Sequence, residues 1–406
     1  MSAAPRPRIL VLNQYYWPGV EATGQLLSQL CADLANEYTV RVITGRLALP
    51  GAEAGRTLHE GVEIVRVNST AFPRRILALR AFNYLTYLSA SARAAAVAPR
   101  PNVVLCMTDP PVVAIVALAA ARRSRASLVV ISQDVFPEIA VLLHRIESSI
   151  VVGALRVAIR VYLKRADRVV AIGETMRRRL EAKGAPPERL RVIPNWVDTT
   201  FLEEKPRDND WARDAGLTSQ FVVMHSGNVG YTQDLDTLVR SATFLRDLDR
   251  LTIAIVGDGA RRSELMGLAE LLEVDRLRFF RYQSREALPY SLSSAHVHVI
   301  GLAPGLSGYV VPSRLYGVLA VGRPVIAAAD ADSETAELIT RTGCGVVVPP
   351  GRPELLAAAI RRAHDGEYDL DEMGRRAREF AVTEADRRVA VKRYRELLAE
   401  LTGGRG

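Results

Sequence analysis

The residues best suited to gripping an anion lie between Gly305 and Val325, where Gly305-Leu306-Ser307-Gly308-Tyr309 leads into Val310-Val311-Pro312-Ser313-Arg314-Leu315-Tyr316. Proline fits the first turn of a helix, where its missing N–H costs nothing. Ser313 and Arg314 then fall where free amides and the helix dipole favour a phosphate, and arginine adds a forked, permanently charged donor. A buried helix followed by a strand accounts for Leu315, Leu319 and Val325, but not for Pro-Ser-Arg after a glycine-rich loop. Two further loops carry groups of the same kind: Ser226-Gly227-Asn228-Val229-Gly230, and Gly257-Asp258-Gly259-Ala260-Arg261. Neither matches the GxGxxG spacing of a dinucleotide site. Arg261 reads either as a guanidinium beside a diphosphate or as a solvated residue of a tight turn.

The N-terminal half offers carboxylates instead. In Ile131-Ser132-Gln133-Asp134-Val135-Phe136-Pro137-Glu138 a strand ends and a helix begins, which places Asp134 and Glu138 at a strand's carboxyl end. A carboxylate there can orient or deprotonate a hydroxyl, or it can cap the next helix; both readings stand. Asp109, before Pro110-Pro111, ends another strand. The loop from Asn13 to Gly24 follows the first strand and brings Gly19, Thr23 and Gly24 to the place where backbone amides meet a ligand in an open parallel sheet. His296-Val297-His298 puts two imidazoles on one strand face with no third ligand nearby, short of a zinc set.

These loops need strands and helices to hold them. Short β-branched runs (9–12, 40–44, 62–67, 103–106, 128–131, 169–172 and 190–193) alternate with helical stretches. Such alternation implies crossover units and a parallel sheet covered on both faces. A second series follows at 221–225, 251–256, 277–280, 297–300, 324–327 and 345–348, after a polar stretch, 199–220, that reads as a linker. The chain therefore divides into a doubly wound domain over 1–200 and another over 201–383, and an amphipathic stretch at 384–402 is placed to cross back to the first. With 406 residues, 49% of them hydrophobic, two cores are affordable.

Residues 1–200 carry 26 Lys and Arg against 15 Asp and Glu, the remainder 27 against 30. A basic half can meet an anionic membrane, a phosphorylated substrate or nucleic acid; no nucleic-acid motif is present, which excludes the last. Cys31, Cys106 and Cys344 form no CxxC and suit a reducing, cytosolic setting. No signal peptide is evident at the N-terminus, and the apolar stretches are interrupted before they could span a bilayer. The segment 72–93 mixes Phe72, Phe82, Tyr84 and leucines with Arg74, Arg75, Arg80 and Arg93 and has no acid, as an interfacial helix would, although Leu79, Phe82, Leu85 and Leu88 equally suit a core helix of the first domain.

Taken together, Ser226-Gly227-Asn228, Val256-Gly257-Asp258-Gly259, the Pro-Ser-Arg-Leu-Tyr helix, Gly322-Arg323-Pro324-Val325, Gly343-Cys344-Gly345 and Ile193-Pro194-Asn195-Trp196 resemble the family-4 retaining glycosyltransferases, over nearly the whole chain. The branch that assembles O-antigen and colanic-acid type polysaccharides is the nearest. The resemblance implies a GT-B fold, two Rossmann-like domains facing across a cleft. It implies a nucleotide-sugar donor, uridine-linked, held by Gly227, Asn228, Gly230, Arg261, Ser313 and Arg314, with Glu334 either replacing a ribose contact or capping its helix. The acceptor is expected to be a polyprenyl-diphosphate-linked saccharide bound near Gly19, Thr23, Gly24 and Asp109, with Asp134 and Glu138 catalytic. No metal or other cofactor is expected, and the protein is expected at the inner face of the membrane. The family's usual Arg and Lys after the first strand of the second domain align with Asn228 and Gln233, and its glutamate pair with Tyr309 and Gly317. Because of these departures a catalytically silent nucleotide-sugar-binding subunit remains as an alternative, and the shared two-domain architecture leaves a nucleotide-sugar 2-epimerase as another.

Overall fold

The computed structural model describes residues 6–19, 21–73 and 77–403. They form two compact units: unit 1 takes the chain up to Pro194 and again from Ala390, and unit 2 spans Asn195–Val389. In unit 1 the strands are β1 (Arg8–Leu12), β2 (Thr39–Thr44), β3 (Gly55–His59), β4 (Val62–Arg66), β5 (Val103–Met107), β6 (Ser127–Ser132), β7 (Arg168–Ala171) and β8 (Leu190–Val192). Its helices are α1 (Ala22–Leu34), α2 (Leu77–Val97), α3 (Val113–Ser124), α4 (Glu138–Leu142), α5 (Ser149–Arg165) and α6 (Glu174–Ala182). Unit 2 has β9 (Phe221–Ser226), β10 (Leu251–Val256), β11 (Leu277–Phe280), β12 (Val297–Gly301), β13 (Val325–Ala328) and β14 (Gly345–Val348). Among them run α7 (Asp210–Asp214), α8 (Leu235–Ser241), α9 (Arg262–Leu271), α10 (Leu288–Ser293), α11 (Arg314–Ala320), α12 (Glu334–Thr342), α13 (Pro353–His364) and α14 (Leu370–Thr383). The last helix, α15 (Arg387–Gly403), carries the chain back into unit 1.

Both sheets are built outward from their first strand. In unit 1 the order is β3-β4-β2-β1-β5-β6-β7-β8, and in unit 2 it is β11-β10-β9-β12-β13-β14. The central strands β5, β6 and β10 are buried at every position, the pattern of strands covered by helices on both faces. Growth of each sheet reverses direction beside the first strand, between β1 and β5 and between β9 and β12. Crevices of open α/β sheets form at such points, beyond the strands' carboxyl ends.

Two details depart from the sequence reading. The edge strand β3 pairs antiparallel with β4; its residues Gly55 to Leu58 are exposed and His59 is half-buried, so it has no apolar pattern to reveal it. The polar stretch read as a linker is folded into unit 2. There buried Asn209 caps α7 and donates to the Pro206 and Tyr290 carbonyls and to the Ser294 hydroxyl. Among the described residues no helix is long and apolar enough to cross a membrane.

Candidate functional site

In unit 2 the loops after β9, β10 and β12 are drawn together by backbone contacts. Gly227 N–H donates to the Val256 carbonyl (2.9 Å), Val229 N–H to that of Asp258 (2.9 Å) and Ala303 N–H to that of Thr232 (2.9 Å). Only glycine permits this approach at three positions. A Cβ on Gly257, whose φ is +145°, would collide with the Gly227 carbonyl, one on Gly259 with that of Val229, and one on Gly301 with that of Gln233. The glycines are there to bring strand ends together.

Arg314 spans the point where the sheet order reverses. As the first residue of α11 it donates from Nη2 to the Gly301 carbonyl at the end of β12 (3.0 Å), and its Cδ lies 3.3 Å from where a Cβ of Gly227 would stand, at the end of β9. Its Nε is buried without a hydrogen-bond partner. Among the described residues no carboxylate lies within ion-pairing distance of it. Burial pushes its pKa down to about 10, which leaves it protonated at neutral pH. Beside it, buried His225 is held well below the usual imidazole value, by burial first and then by the Arg314 charge. The arginine is therefore a lone cation with unspent donors, and a buried cation gains most from an anionic partner.

Neighbouring candidates behave differently. Arg261 binds the Asp236 carboxylate through two nitrogens and Glu264 through two (3.1 and 2.5 Å), with the Tyr231 ring 5.7 Å from its guanidinium carbon. These carboxylates raise its pKa and satisfy its charge, so it is a structural ion pair and brings no free cation. Ser313 is half-buried just before α11, and its side chain makes no cap bond. Pro312 precedes α11 and offers its carbonyl to the Leu315 N–H. Glu334 opens α12, yet the cap there is Ser333, whose hydroxyl accepts from the Ala336 N–H (3.2 Å). Asn228 is exposed and Gly230 buried, with the Gly230 N–H donating to Gln233 Oε1. Arg314 is half-buried and anchored, contrary to the exposed helix-start residue its position suggests. His296 accepts from the Val222 N–H (2.9 Å) and stacks on Phe221, while His298 hydrogen-bonds the Leu292 carbonyl (2.9 Å), so both imidazoles have structural partners.

In unit 1 the carboxyl-end loops are tied to one another, and Arg80 feels the charges of Asp109 and Tyr15 while acting on Asp134. The β1–α1 loop is tied to β5 by Gln14 N–H to the Asp109 carbonyl (2.9 Å), and Gly24 on α1 packs against the backbone of Tyr15 and Tyr16. Gly19 is buried and donates to the Tyr16 carbonyl, and Thr23 is half-buried near the start of α1. The sequence reading missed the residue that fixes this loop. Buried Arg66, at the end of β4, donates to the Gly45 carbonyl (3.0 Å) and the Trp17 carbonyl (2.6 Å). The signal was available: alternation puts Arg66 in phase with buried Val62 and Ile64.

Asp134 does not cap α4, whose N-terminal flank is Pro137 with no side-chain cap bond. Burial raises its carboxyl to about 6, opposed by the Arg80 charge. Arg80 in turn donates to the Tyr84 hydroxyl (2.7 Å) and feels Asp109 and Tyr15. It thus faces the Asp134 side of α2, away from the lipid role its sequence context suggested; Arg74 and Arg75 lie outside the described residues. Glu138 is a correction of another kind. Its two oxygens are taken by Lys183 and by Arg156 (3.3 Å), which bring its pKa below the usual value although burial works in the opposite direction. A carboxylate so engaged is not poised to take a proton.

Residues 22–196 match the model of a glycosyl transferase 4-like domain, and residues 208–380 that of the glycosyl transferases group 1. The chain is 30% identical over 236 residues to the colanic acid biosynthesis glycosyl transferase WcaI of Escherichia coli K12, covering 57% of each chain. It is 26% identical over 374 residues to the glycosyltransferase WbjE of Pseudomonas aeruginosa, covering 90% of this chain and 91% of that one. Anabaena HepE, solved with UDP and glucose, superposes with a TM-score of 0.75 at 17% identity, over 97% of this chain and 100% of that one. The lipopolysaccharide glycosyltransferase WaaG superposes with a TM-score of 0.69 at 16% identity, over 97% and 100%. The architecture is GT-B, two Rossmann-like parallel-sheet domains.

Proposed function

We propose, from the premise that this chain joins a glycosyl transferase 4-like domain to a group 1 glycosyltransferase domain, that it transfers a sugar from a uridine diphosphate sugar to a lipid-linked saccharide in cell-surface polysaccharide assembly. The observation that carries the donor half is Arg314, a protonated guanidinium without a carboxylate at the switch point of unit 2. A diphosphate supplies the missing anion. HepE was solved with UDP and with UDP-glucose, and WcaI and WbjE are named as glycosyltransferases, WcaI of colanic acid biosynthesis; these support the donor class and the biosynthetic setting.

In the reaction, the bond from the sugar's anomeric carbon to the β-phosphate oxygen breaks and the diphosphate keeps the electron pair. Arg314 stabilises the charge that develops there, the kind of electrostatic help that works best in a preorganised, desolvated site. The acceptor hydroxyl forms the new bond, and its proton passes to the Asp134 carboxylate, which is ionised above about pH 6. Attack on the face the diphosphate leaves retains configuration without an enzyme nucleophile or a metal ion. Glu334 is assigned to the donor's ribose.

A panel of nucleotide sugars tests this by thermal shift, since a ligand bound only to the native state stabilises it by mass action. A rise in melting temperature with uridine diphosphate sugars, followed by release of UDP when a lipid-linked acceptor is added, is the expected result. Binding without any release fits a silent subunit, and interconversion of the donor without acceptor fits an epimerase; either outcome refutes the transferase reading.

A further inference from the structure

Each sheet has two edge strands, and three of the four are covered. Strand β8 is three residues long, with Leu190 buried and the other two half-buried, and Glu400 of α15 reaches Arg191 beside it (3.8 Å). In unit 2, β14 is buried or half-buried throughout, and β11 is so except at Arg278, which donates back to the Gly216 carbonyl (3.4 Å). The remaining edge, β3, is different. Gly55, Arg56, Thr57 and Leu58 are all exposed, Leu58 at 74%, and among the described residues β3 pairs with no strand but β4.

The phase of the hairpin decides which backbone groups are left over. Glu60 and Gly61, with φ of +47° and +77°, form the two-residue turn between His59 and Val62. In such a hairpin His59, Thr57 and Gly55 exchange hydrogen bonds with β4, and the alternation of the ladder turns the N–H and carbonyl groups of Arg56 and Leu58 outward. An unpaired row of this kind templates another strand, and proteins ordinarily blunt it with proline, a bulge, lysine or a very short strand. The five residues of β3 run in unbroken register and contain neither proline nor lysine. The charge they do carry, Arg56, lies on the same face of the strand as exposed Leu58.

We infer that β3 is the pairing edge of a symmetric dimer, in which two copies of the chain join antiparallel and continue one sheet into the other. A two-fold axis at Thr57 gives the register that keeps all five residues in the ladder. Thr57 then meets the partner's Thr57, a favourable cross-strand pair. Arg56 meets the partner's Leu58, so the outward backbone groups satisfy one another, and the partner's Glu60 stands diagonally across, within reach of a long side chain. Symmetry repeats the Arg–Glu pair on the other side of the axis. The charge that would keep this edge from pairing with itself is thereby neutralised. An unrelated strand would have to bring an acid at the same offset, which this chain's own sequence already supplies. Within one copy His59 stacks on Trp17, with ring centroids 3.8 Å apart, so pairing at β3 abuts the β1–α1 loop.

Sedimentation velocity of the full-length chain over a range of concentrations tests this. The wild type is expected to pass from monomer to dimer as concentration rises, and the Arg56 and Leu58 amides are expected to become protected from hydrogen exchange along with it. Leu58→Pro removes an outward N–H while leaving the ladder to β4 in place, and is expected to remain monomeric. Arg56→Glu and Glu60→Arg each set like charges against one another at both symmetric places, and each is expected to raise the dimer's dissociation constant about tenfold. The double variant exchanges the charges and is expected to return to the wild-type value. All of these variants should keep the wild-type response to UDP, because the changed residues are exposed and belong to unit 1. A dimer that survives Leu58→Pro, or single charge variants that the double variant does not rescue, would overturn the inference. So would a wild type that stays monomeric: protected amides would then make another segment of the same chain the occupant, and freely exchanging ones would leave the edge to a strand of another protein. A lost UDP response in a wild type that still dimerises would instead count against the donor reading alone.

Discussion

The two units use the same device, a first strand at the point where a parallel sheet reverses its growth, and equip it with opposite chemistry. In unit 2 the strand ends are glycine, brought together by backbone contacts, and the functional side chain is a cation left without a carboxylate, Arg314. In unit 1 the strand ends carry carboxylates, and Asp134 faces a cation, Arg80, that is shared with Tyr84, Asp109 and Tyr15. In the proposed reaction one crevice captures an anion and the other handles a proton. On that proposal the same architecture separates holding a leaving group from preparing a nucleophile, according to the charge at the strand ends.

The sharpest way to break this comparison is Asp134→Asn. A general base supplies about 10²–10⁴-fold, so turnover is expected to fall by that order while the UDP-induced rise in melting temperature stays as in the wild type. A parallel loss of UDP binding would mean that Asp134 is not confined to the acceptor's chemistry. Next in size is the pH profile. Turnover is expected to rise through about pH 6 as Asp134 ionises, and Arg80→Met should move that limb to higher pH, because the guanidinium favours the ionised form. An unmoved limb would remove Arg80 from the account.

Stability gives a smaller effect of distinctive sign. The folded-state pKa of Asp134 lies above its ordinary carboxylate value, so its contribution to stability is fully present below the unfolded pKa near 4 and is lost as the pH rises through about 6. Asp134→Asn is therefore expected to melt higher than the wild type at pH 8, with the difference shrinking toward pH 4. A helix cap would give the reverse, a lower melting temperature on substitution. The smallest effect belongs to Arg261→Ala. Its partly exposed pairs with Asp236 and Glu264 contribute on the order of 1 kcal/mol, and UDP affinity should change by less than about twofold, the scatter of a few tenths of a kcal/mol that indirect effects produce. A loss as large as that from changing Arg314 would erase the contrast between the two arginines.

What was legible in the sequence follows from the range of the interactions involved. Strand runs such as Val103–Met107 and Leu251–Val256 announce themselves because burial on both faces demands continuous apolar residues. The Pro-Ser-Arg start of α11 and the carboxylate after β6 were equally visible, since residue type and position after a strand carry those readings. Partnership was not. Arg261 and Arg314 look alike as letters, and only the fold brings Asp236 from α8 to one and leaves the other, among the described residues, without an acid. Glu138 was indistinguishable from Asp134 until Lys183, 45 residues later, reached it. Arg80 sat in an arginine-rich amphipathic stretch, and only the packing of α2 turned it toward Tyr84 and Asp134.

Arg314 as the diphosphate ligand is tested by calorimetric titration of uridine, UMP and UDP into the wild type and Arg314→Ala. A charge-assisted contact contributes about 1.5–3 kcal/mol, so UDP affinity is expected to drop about 10- to 150-fold in the variant while uridine affinity stays nearly unchanged, and Arg314→Lys should recover part of the loss because a point charge replaces a fork. The variant is also expected to melt somewhat lower, since the hydrogen bond to the Gly301 carbonyl goes with the side chain. Equal losses for uridine and UDP, or an unchanged UDP affinity in a folded variant, would contradict the account.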